Sequence, residues 1–427
     1  MPERPKELVA RRLVLGILAV GLFWRLVLCV FVVPLWEARA NVAPTPDAYP
    51  TLARTLLDDG TLGYAPFGAS PTTVRGPGFP IWLAVGILVG GDDPRWLGLW
   101  GGLPGIAVAA WLTWLVARRF GAAPGIVAGA VAALHPLPSL ISARVMGDDF
   151  YAALGFAGLA VWCIALRSPG DKAGAWWAVA AGMLLAMQML TRASGLLTLV
   201  AALIVGLVPR KRRAGLSLLL VAVALLPPLL WSVRTSRLEA RPVFVHSLGA
   251  YNFWIGEGFD RYGAGEGPAG NWGEILPFVL AQAEIDGAEA QGFWYVELDP
   301  REAAALDSKL GRAAVERITR DPVGYVARWV KGLARYWYQA QTGRRSLQYL
   351  LVAVPVLLLA FAGIRRLRAA GGARDPLGSL LLLAVVLHNV AYAALLPTAR
   401  MSVQVYPAIA YLAGAGACWV FDRVRRD

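Results

Sequence analysis

Three acidic positions and three isolated arginines carry most of the chemistry this sequence offers. Asp47 stands in Pro46-Asp47-Ala48-Tyr49, and Asp148-Asp149 ends the loop Ser142 to Gly147. They lie at the edges of long apolar runs, where a carboxylate is costly unless it is solvated, paired or useful. Two such sites facing one aqueous compartment suggest paired carboxylates, able to activate a hydroxyl or to bind a divalent metal. Arg75 opens Arg75-Gly76-Pro77-Gly78-Phe79-Pro80, Arg192 sits in Leu190-Thr191-Arg192-Ala193-Ser194-Gly195, and Arg234 follows Pro227-Pro228-Leu229-Leu230-Trp231. If these arginines converge, a phosphate is the anion that guanidinium forks recognise best. Plainer roles stay open for each residue alone: Asp148 or Asp149 as a helix N-cap, the arginines as groups snorkelling to lipid headgroups.

Other chemistry weakens on inspection. The chain has no Ser-His-Asp order, no zinc-ligand pattern and no Walker loop. His135, His246 and His388 lack ligand-like spacing, and His388-Asn389 suits an interhelical hydrogen bond. The glycine-rich stretch Gly256 to Gly270 follows no strand and reads as a flexible loop. Arg25, inside the first apolar run, suits a transport path or a partner-bound structural arginine. Cys29, Cys163 and Cys418 fall in apolar runs and read as packing, with no disulfide framework.

The elements that must position these residues are membrane helices. Of 427 residues, 57% are hydrophobic and 16% charged, with a mean hydropathy of +0.53. Globular chains run near ~45–50% apolar and ~25% charged, so a soluble α/β enzyme, a disulfide scaffold and a disordered tail are excluded. Ten spans are expected, near 13–35, 96–116, 123–141, 150–166, 174–190, 195–208, 214–232, 346–363, 377–396 and 402–421. Lys and Arg beside short loops set their orientation. The N-terminus, alternate connections (Arg118 and Arg119; Arg167 and Lys172; Arg210 to Arg213; Arg365 to Arg374) and the C-terminus hold nineteen basic residues against six acids, which accounts for the whole net charge of +13. That side is expected to be cytoplasmic, with both termini. The basic run Arg210-Lys211-Arg212-Arg213 is then a topology anchor, and nucleic acid is not an expected partner. Residues 233–345 balance fourteen basic against fourteen acidic groups, and the short outer loops near 142–149, 191–194 and 397–401 hold one arginine each.

Three blocks follow: a transmembrane module over 1–232 with a first outer loop at 36–95, an outer loop domain over 233–345, and a C-terminal module over 346–427. Phe79 to Gly90 is about 18 Å of helix against a hydrocarbon core of about 30 Å, so it reads as a re-entrant or interfacial segment of the first outer loop. The first span is longer than a signal-peptide core and reads as an uncleaved anchor, despite the exit Ala38-Arg39-Ala40. Asp299-Pro300-Arg301-Glu302 and Asp321-Pro322 each start an amphipathic helix. The second puts Val323, Val326, Val330, Leu333 and Trp337 on one face, suited to the outer membrane surface.

The order of these features resembles a known family. Asp47 in an early outer loop, the basic-proline segment from Arg75, Asp148 before the fourth span, Leu190 to Leu197, Trp231-Ser232-Val233-Arg234 and the outer loop Gly249 to Gly256 come in sequence over nearly the whole chain. Together they resemble the GT-C glycosyltransferases, in particular bacterial relatives of protein O-mannosyltransferases and lipid A aminoarabinose transferases. The resemblance implies an all-α bundle of about ten transmembrane helices, with two large extracytoplasmic loops that carry amphipathic helices, in a bacterial plasma membrane. It implies transfer of a sugar from a polyprenyl-phosphate lipid to an acceptor hydroxyl of a lipid, protein or polysaccharide, outside the cytoplasm and with inversion. Asp47 would be the general base or orient the nucleophile, and Asp148 would be the second acid. Arg75, Arg192 and Arg234 would bind the donor phosphate, with Tyr49, Asp149 and Asn252 in the substrate loops. The doubled Asp148-Asp149 leaves the second acid open, and a divalent metal remains possible.

A transporter or flippase of a lipid-linked glycan is the competing reading. It needs paired polar groups and broken helices at mid-membrane, where the sequence offers only Arg25, Gln188, His388 and Asn389.

Overall fold

The computed structural model describes residues 5–40, 47–64, 71–168, 170–206, 211–263, 265, 272–286, 298–369 and 375–424. Those residues form helices and connecting loops, with only two isolated β-bridges. Nine helices among them are long and apolar enough to cross a membrane. They account for nine of the ten expected spans. The remaining one, near 195–208, is the helix Gly195–Gly206, about 18 Å long, ending where residues 207–210 fall outside the described set.

The first span is continuous from Val9 to Ala38. Its helix α1 (Pro5–Val27) passes through a π turn at Leu28–Val32 into α2 (Val33–Ala40). Pro34 removes the backbone donor that would have bonded back into this stretch, which favours the wider turn. Then come α3 (Tyr49–Asp58), the short apolar α4 (Gly78–Gly90), α5 (Pro94–Phe120), α6 (Ala122–Leu134), α7 (Pro136–Ala143) and α8 (Asp148–Arg167). Further on are α9 (Asp171–Thr191), α10 (Gly195–Gly206) and α11 (Lys211–Glu239). The loop region holds α12 (Gly249–Tyr262), α13 (Trp272–Ala281), α14 (Pro300–Arg320) and α15 (Pro322–Arg335). The chain closes with α16 (Gly343–Ala369), α17 (Pro376–Leu395), the turn α18 (Ala399–Ser402) and α19 (Tyr406–Val424).

The last helix is the centre of the bundle. Every residue from Met401 to Cys418 is buried, because its alanines and glycines let neighbours approach closely, as membrane interfaces favour. Gly416 packs on the carbonyl of Leu359 in α16, and Gly363 returns the contact at Leu412. The charged ends separate. Arg366 bonds Asp422 at 2.6 Å and Arg119 bonds Asp375 at 2.6 Å, at the end of the bundle where α5, α16 and α19 finish. The other end, roughly 30 Å away along a twenty-residue helix, is where α8 and α19 begin.

The loop helices form as their start signals dictate. Asp299 caps α14 by accepting from Arg301 and Glu302, and Glu302 returns the bond to the Asp299 N–H. Ala303, Leu306, Leu310 and Ala314 are its buried face. Asp321 caps α15 through Gly324. The expected apolar face of α15 is uncovered: Val323 is 79% exposed, Val326 50% and Val330 60%. The helix crosses the end of α17, where Trp329 donates to the Val390 carbonyl and Arg328 to that of Ala394. One expectation needs correction. The glycine-rich stretch, read as a flexible loop, is helical as far as Tyr262, the last residue of α12. Gly256 packs against the Leu395 carbonyl and Gly258 against Ile275, so these glycines serve close packing and not flexibility. Residues 264 and 266–270 of that stretch lie outside the described residues.

Candidate functional site

Asp47, Arg75, Asp148 and Arg192, drawn from four separate segments, meet at the end of the bundle where α8 begins. Each is set there by local backbone. Asp47 occupies the turn before α3, followed by Ala48 in the left-handed region at φ 50°. Asp148 and Asp149 are the first two residues of α8, where the helix N-terminus favours negative charge. Arg192 is the residue at which α9 unwinds, with extended backbone at φ −151°. Arg75 is delivered by the Arg-Gly-Pro-Gly segment. Gly76 and Gly78 pack directly on the Leu190 carbonyl and on Thr191, so only glycine lets this segment lie against the turn that carries Arg192. Val145 (φ 54°), Val245 (φ 65°) and Leu248 (φ 69°) also hold positive φ within three residues of Asp148 or His246. Such backbone costs roughly 1–3 kcal/mol each and concentrates at functional sites.

One residue that sequence reasoning missed completes the arrangement. Arg400, in the turn α18, lies between the two carboxylates, bonding Oδ2 of Asp47 and, at 3.1 Å, Oδ2 of Asp148. Arg75 takes Oδ1 of Asp47 at 3.0 Å, and Arg192 approaches Oδ1 of Asp148 at 2.8 Å, an ion-pair contact rather than an aligned hydrogen bond. The result is an alternating chain, Arg75–Asp47–Arg400–Asp148–Arg192. The loop around 336–340 fixes the Arg400 turn: the Ala399 N–H donates to Gln339 O at 2.8 Å, and Tyr336 donates to Met401 O at 3.1 Å. Its sequence signal was the lone arginine of the loop 397–401, which counted there only as charge.

The electrostatics favour a resident anion. The carboxylate side chains are 7% and 0% exposed, the arginine side chains 18%, 31% and 17%. Burial alone would raise the Asp47 pKa. Arg400, Arg75 and Arg192 outweigh it and hold the carboxyl well below its usual range. Three cations against two anions leave one positive charge on the arginines, the more exposed members of the chain. Each of the four carboxylate oxygens lies against a guanidinium, the one at Asp148 Oδ1 through an ion pair without an aligned hydrogen bond. Among the described residues, no group of three His, Cys, Asp or Glu side chains is placed to hold a divalent metal.

The wall around this chain is aromatic. Tyr49 meets Phe79 edge-on at 5.0 Å and lies beneath the Arg75 guanidinium at 5.5 Å. His246 sits behind Arg75 and Arg192, with Nδ1–H donating to Ser247 O at 3.1 Å and Nε2 accepting from the Ala193 N–H at 3.5 Å. Burial pushes its pKa down to about 4, with Arg75 and Arg192 adding to the effect against the Ser247 bond.

The remaining candidates go elsewhere. Asp149 points into the bundle, paired with the fully buried Arg25 at 3.0 Å, and Arg25 also donates to Ser142 and to Pro138 O. Arg25 is therefore a partner-bound structural arginine. Asn252 is half-buried in the first turn of α12 and makes no contact with the charge chain among the described residues. Arg234 stands over the Trp231 ring at 4.4 Å and has no ion pair among the described residues. His388 makes the expected interhelical bond, to Tyr151 at 2.9 Å. The three cysteines are free and buried.

No protein-family model and no curated protein matches this sequence. Solved structures do. The archaeal oligosaccharyltransferase AglB of Archaeoglobus fulgidus, in complex with an inhibitory peptide and a dolichol-phosphate, superposes with a TM-score of 0.56 at 15% identity over 96% of this chain and 51% of that one. The same enzyme tethered to an acceptor peptide gives 0.56 at 14% identity. ArnT from Cupriavidus metallidurans, in the apo state, gives 0.38 at 18% identity over 91% of this chain and 76% of its own. The chain thus spans about half the length of the oligosaccharyltransferase it matches. The likeness is one of fold.

Proposed function

We propose that this protein is a membrane glycosyltransferase that moves a sugar from a polyprenyl-phosphate donor to an acceptor hydroxyl on the extracytoplasmic side. The alternating charge chain carries this reading. Glycosyl transfer from a lipid phosphate must neutralise a leaving phosphate and accept a proton from the attacking hydroxyl. In the proposed step the acceptor oxygen bonds to the anomeric carbon as the carbon–oxygen bond to phosphate breaks. The lipid phosphate leaves, and the acceptor hydroxyl, oriented by Asp47, releases its proton to water. Arg75, Arg192 and Arg400 carry the one surplus positive charge that a phosphodiester matches, and they are already in place before the reaction. Asp148 holds Arg192 and Arg400 in register. Attack opposite the leaving phosphate gives inversion.

Separation of the basic ends from this site supports an extracytoplasmic site with both termini inside. The bare apolar face of α15 suits a membrane surface beside it. The oligosaccharyltransferase of like fold was captured with a dolichol-phosphate. A flippase is less well supported, because Arg25 and His388 are each held by fixed partners and not left facing a path. The test is mass spectrometry of envelope lipids, proteins and polysaccharides from cells carrying the wild-type chain or Asp47→Asn. Loss of one sugar from a defined acceptor supports transfer; unchanged glycans reject it.

A further inference from the structure

The arginines sunk into the site end of the molecule come with carboxylates: Arg25 with Asp149, Arg75 with Asp47, Arg192 with Asp148 and Arg328 with Glu257. Arg234 does not. Its Nη1 is buried without a hydrogen bond, and no described carboxylate reaches it, although the exposed Asp58 and Asp59 are nearby in sequence to its neighbours. Beside it is a cavity of about 140 Å³, whose walls include Thr61, Trp231, Leu56, Pro77 and Ile81. That is well above the roughly 10–15 Å³ a single water needs. Thr61 Oγ1 is likewise buried and unbonded. Two buried polar atoms without a partner among the described residues thus border one cavity, where an unmade hydrogen bond is costly.

The segment 75–77 divides this place from the charge chain, giving Arg75 to one and Pro77 to the other. Ile81 is 38% exposed, and Leu230 and Val233 beside Arg234 are 64% and 49% exposed. The cavity therefore borders the apolar belt, where a lipid headgroup can arrive sideways. We propose that Arg234 and Thr61 form a second anion subsite, which takes the phosphate of a membrane lipid independently of the phosphate held by Arg75, Arg192 and Arg400. It goes beyond the transfer reading: a chain that moved no sugar would still bind here.

The test uses the full chain in phosphatidylcholine nanodiscs, titrated separately with undecaprenyl phosphate and with phosphatidylglycerol, binding being read by native mass spectrometry and thermal shift. Arg234→Gln should weaken at least one lipid about tenfold or more and Thr61→Val severalfold, while Arg192→Gln leaves that component intact. The lipid affected identifies the source, prenyl or glycerol-based. Thr61→Val carries the test if Arg234→Gln does not fold. Unchanged binding of both lipids in Thr61→Val and Arg234→Gln, or loss of the same component in Arg192→Gln, overturns the proposal.

Discussion

Gly76 lies directly against the carbonyl oxygen of Leu190, so closely that a β-carbon at position 76 would clash with that oxygen. This contact sets Arg75 beside Arg192, and through them Asp47 beside Asp148. Gly76→Ala is expected to cost about 1–3 kcal/mol by overpacking and to reduce transfer more than it reduces folding. Thermal unfolding and transfer measured on one preparation separate the two losses.

The two adjacent aspartates should divide cleanly. Asp148→Asn removes a link of the charge chain and should lower turnover roughly 10²-fold or more. Asp149→Asn leaves Arg25 buried without its counter-ion, which costs up to about 3–5 kcal/mol of stability, yet turnover per folded molecule should stay close to wild type. Similar turnover losses in both would place Asp149 in the chemistry.

Arg400 should not tolerate lysine. An ammonium cannot span both carboxylates as the planar guanidinium does, so Arg400→Lys and Arg400→Gln should each lose about 10²-fold or more in transfer. Because a guanidinium faces each carboxylate oxygen, transfer should persist in the presence of a divalent-metal chelator. Loss of activity on chelation, restored by a single metal, would contradict the charge assignment.

His246 gives a stability signature with a definite sign. Its pKa is pushed down to about 4 in the folded chain, against an unfolded value of about 6.5. The unfolded state binds more protons between those values. The contribution is therefore complete above about pH 6.5 and is lost as pH falls toward 4, amounting to on the order of 1–3 kcal/mol. His246→Gln should flatten thermal stability across that window.

Much of the fold was legible because membrane helices announce themselves by length and apolarity, and the caps at Asp299 and Asp321 mark helix starts by chemistry alone. Gly256 was misread because a glycine that lets Leu395 approach looks, in sequence, like one that loosens a loop. Asp47, Arg75, Asp148 and Arg192 were found as charges that membrane topology does not require. Arg400 obeyed the same logic, but nothing in one sequence reveals that a turn 252 residues beyond Asp148 returns to it. The separation of Asp148 from Asp149 was equally hidden, since a helix turns neighbouring side chains about 100° apart and only the packed bundle shows which one faces Arg25.

The central claim is best tested by supplying membranes that contain wild-type or Asp47→Asn protein with polyprenyl-phosphate sugars labelled in the sugar, then following the label and the free lipid phosphate. Wild type should release prenyl phosphate and labelled acceptor in equal amounts, and Asp47→Asn at least a hundredfold less of both. Intact donor carried between leaflets with no bond broken, or full transfer by Asp47→Asn, would contradict it.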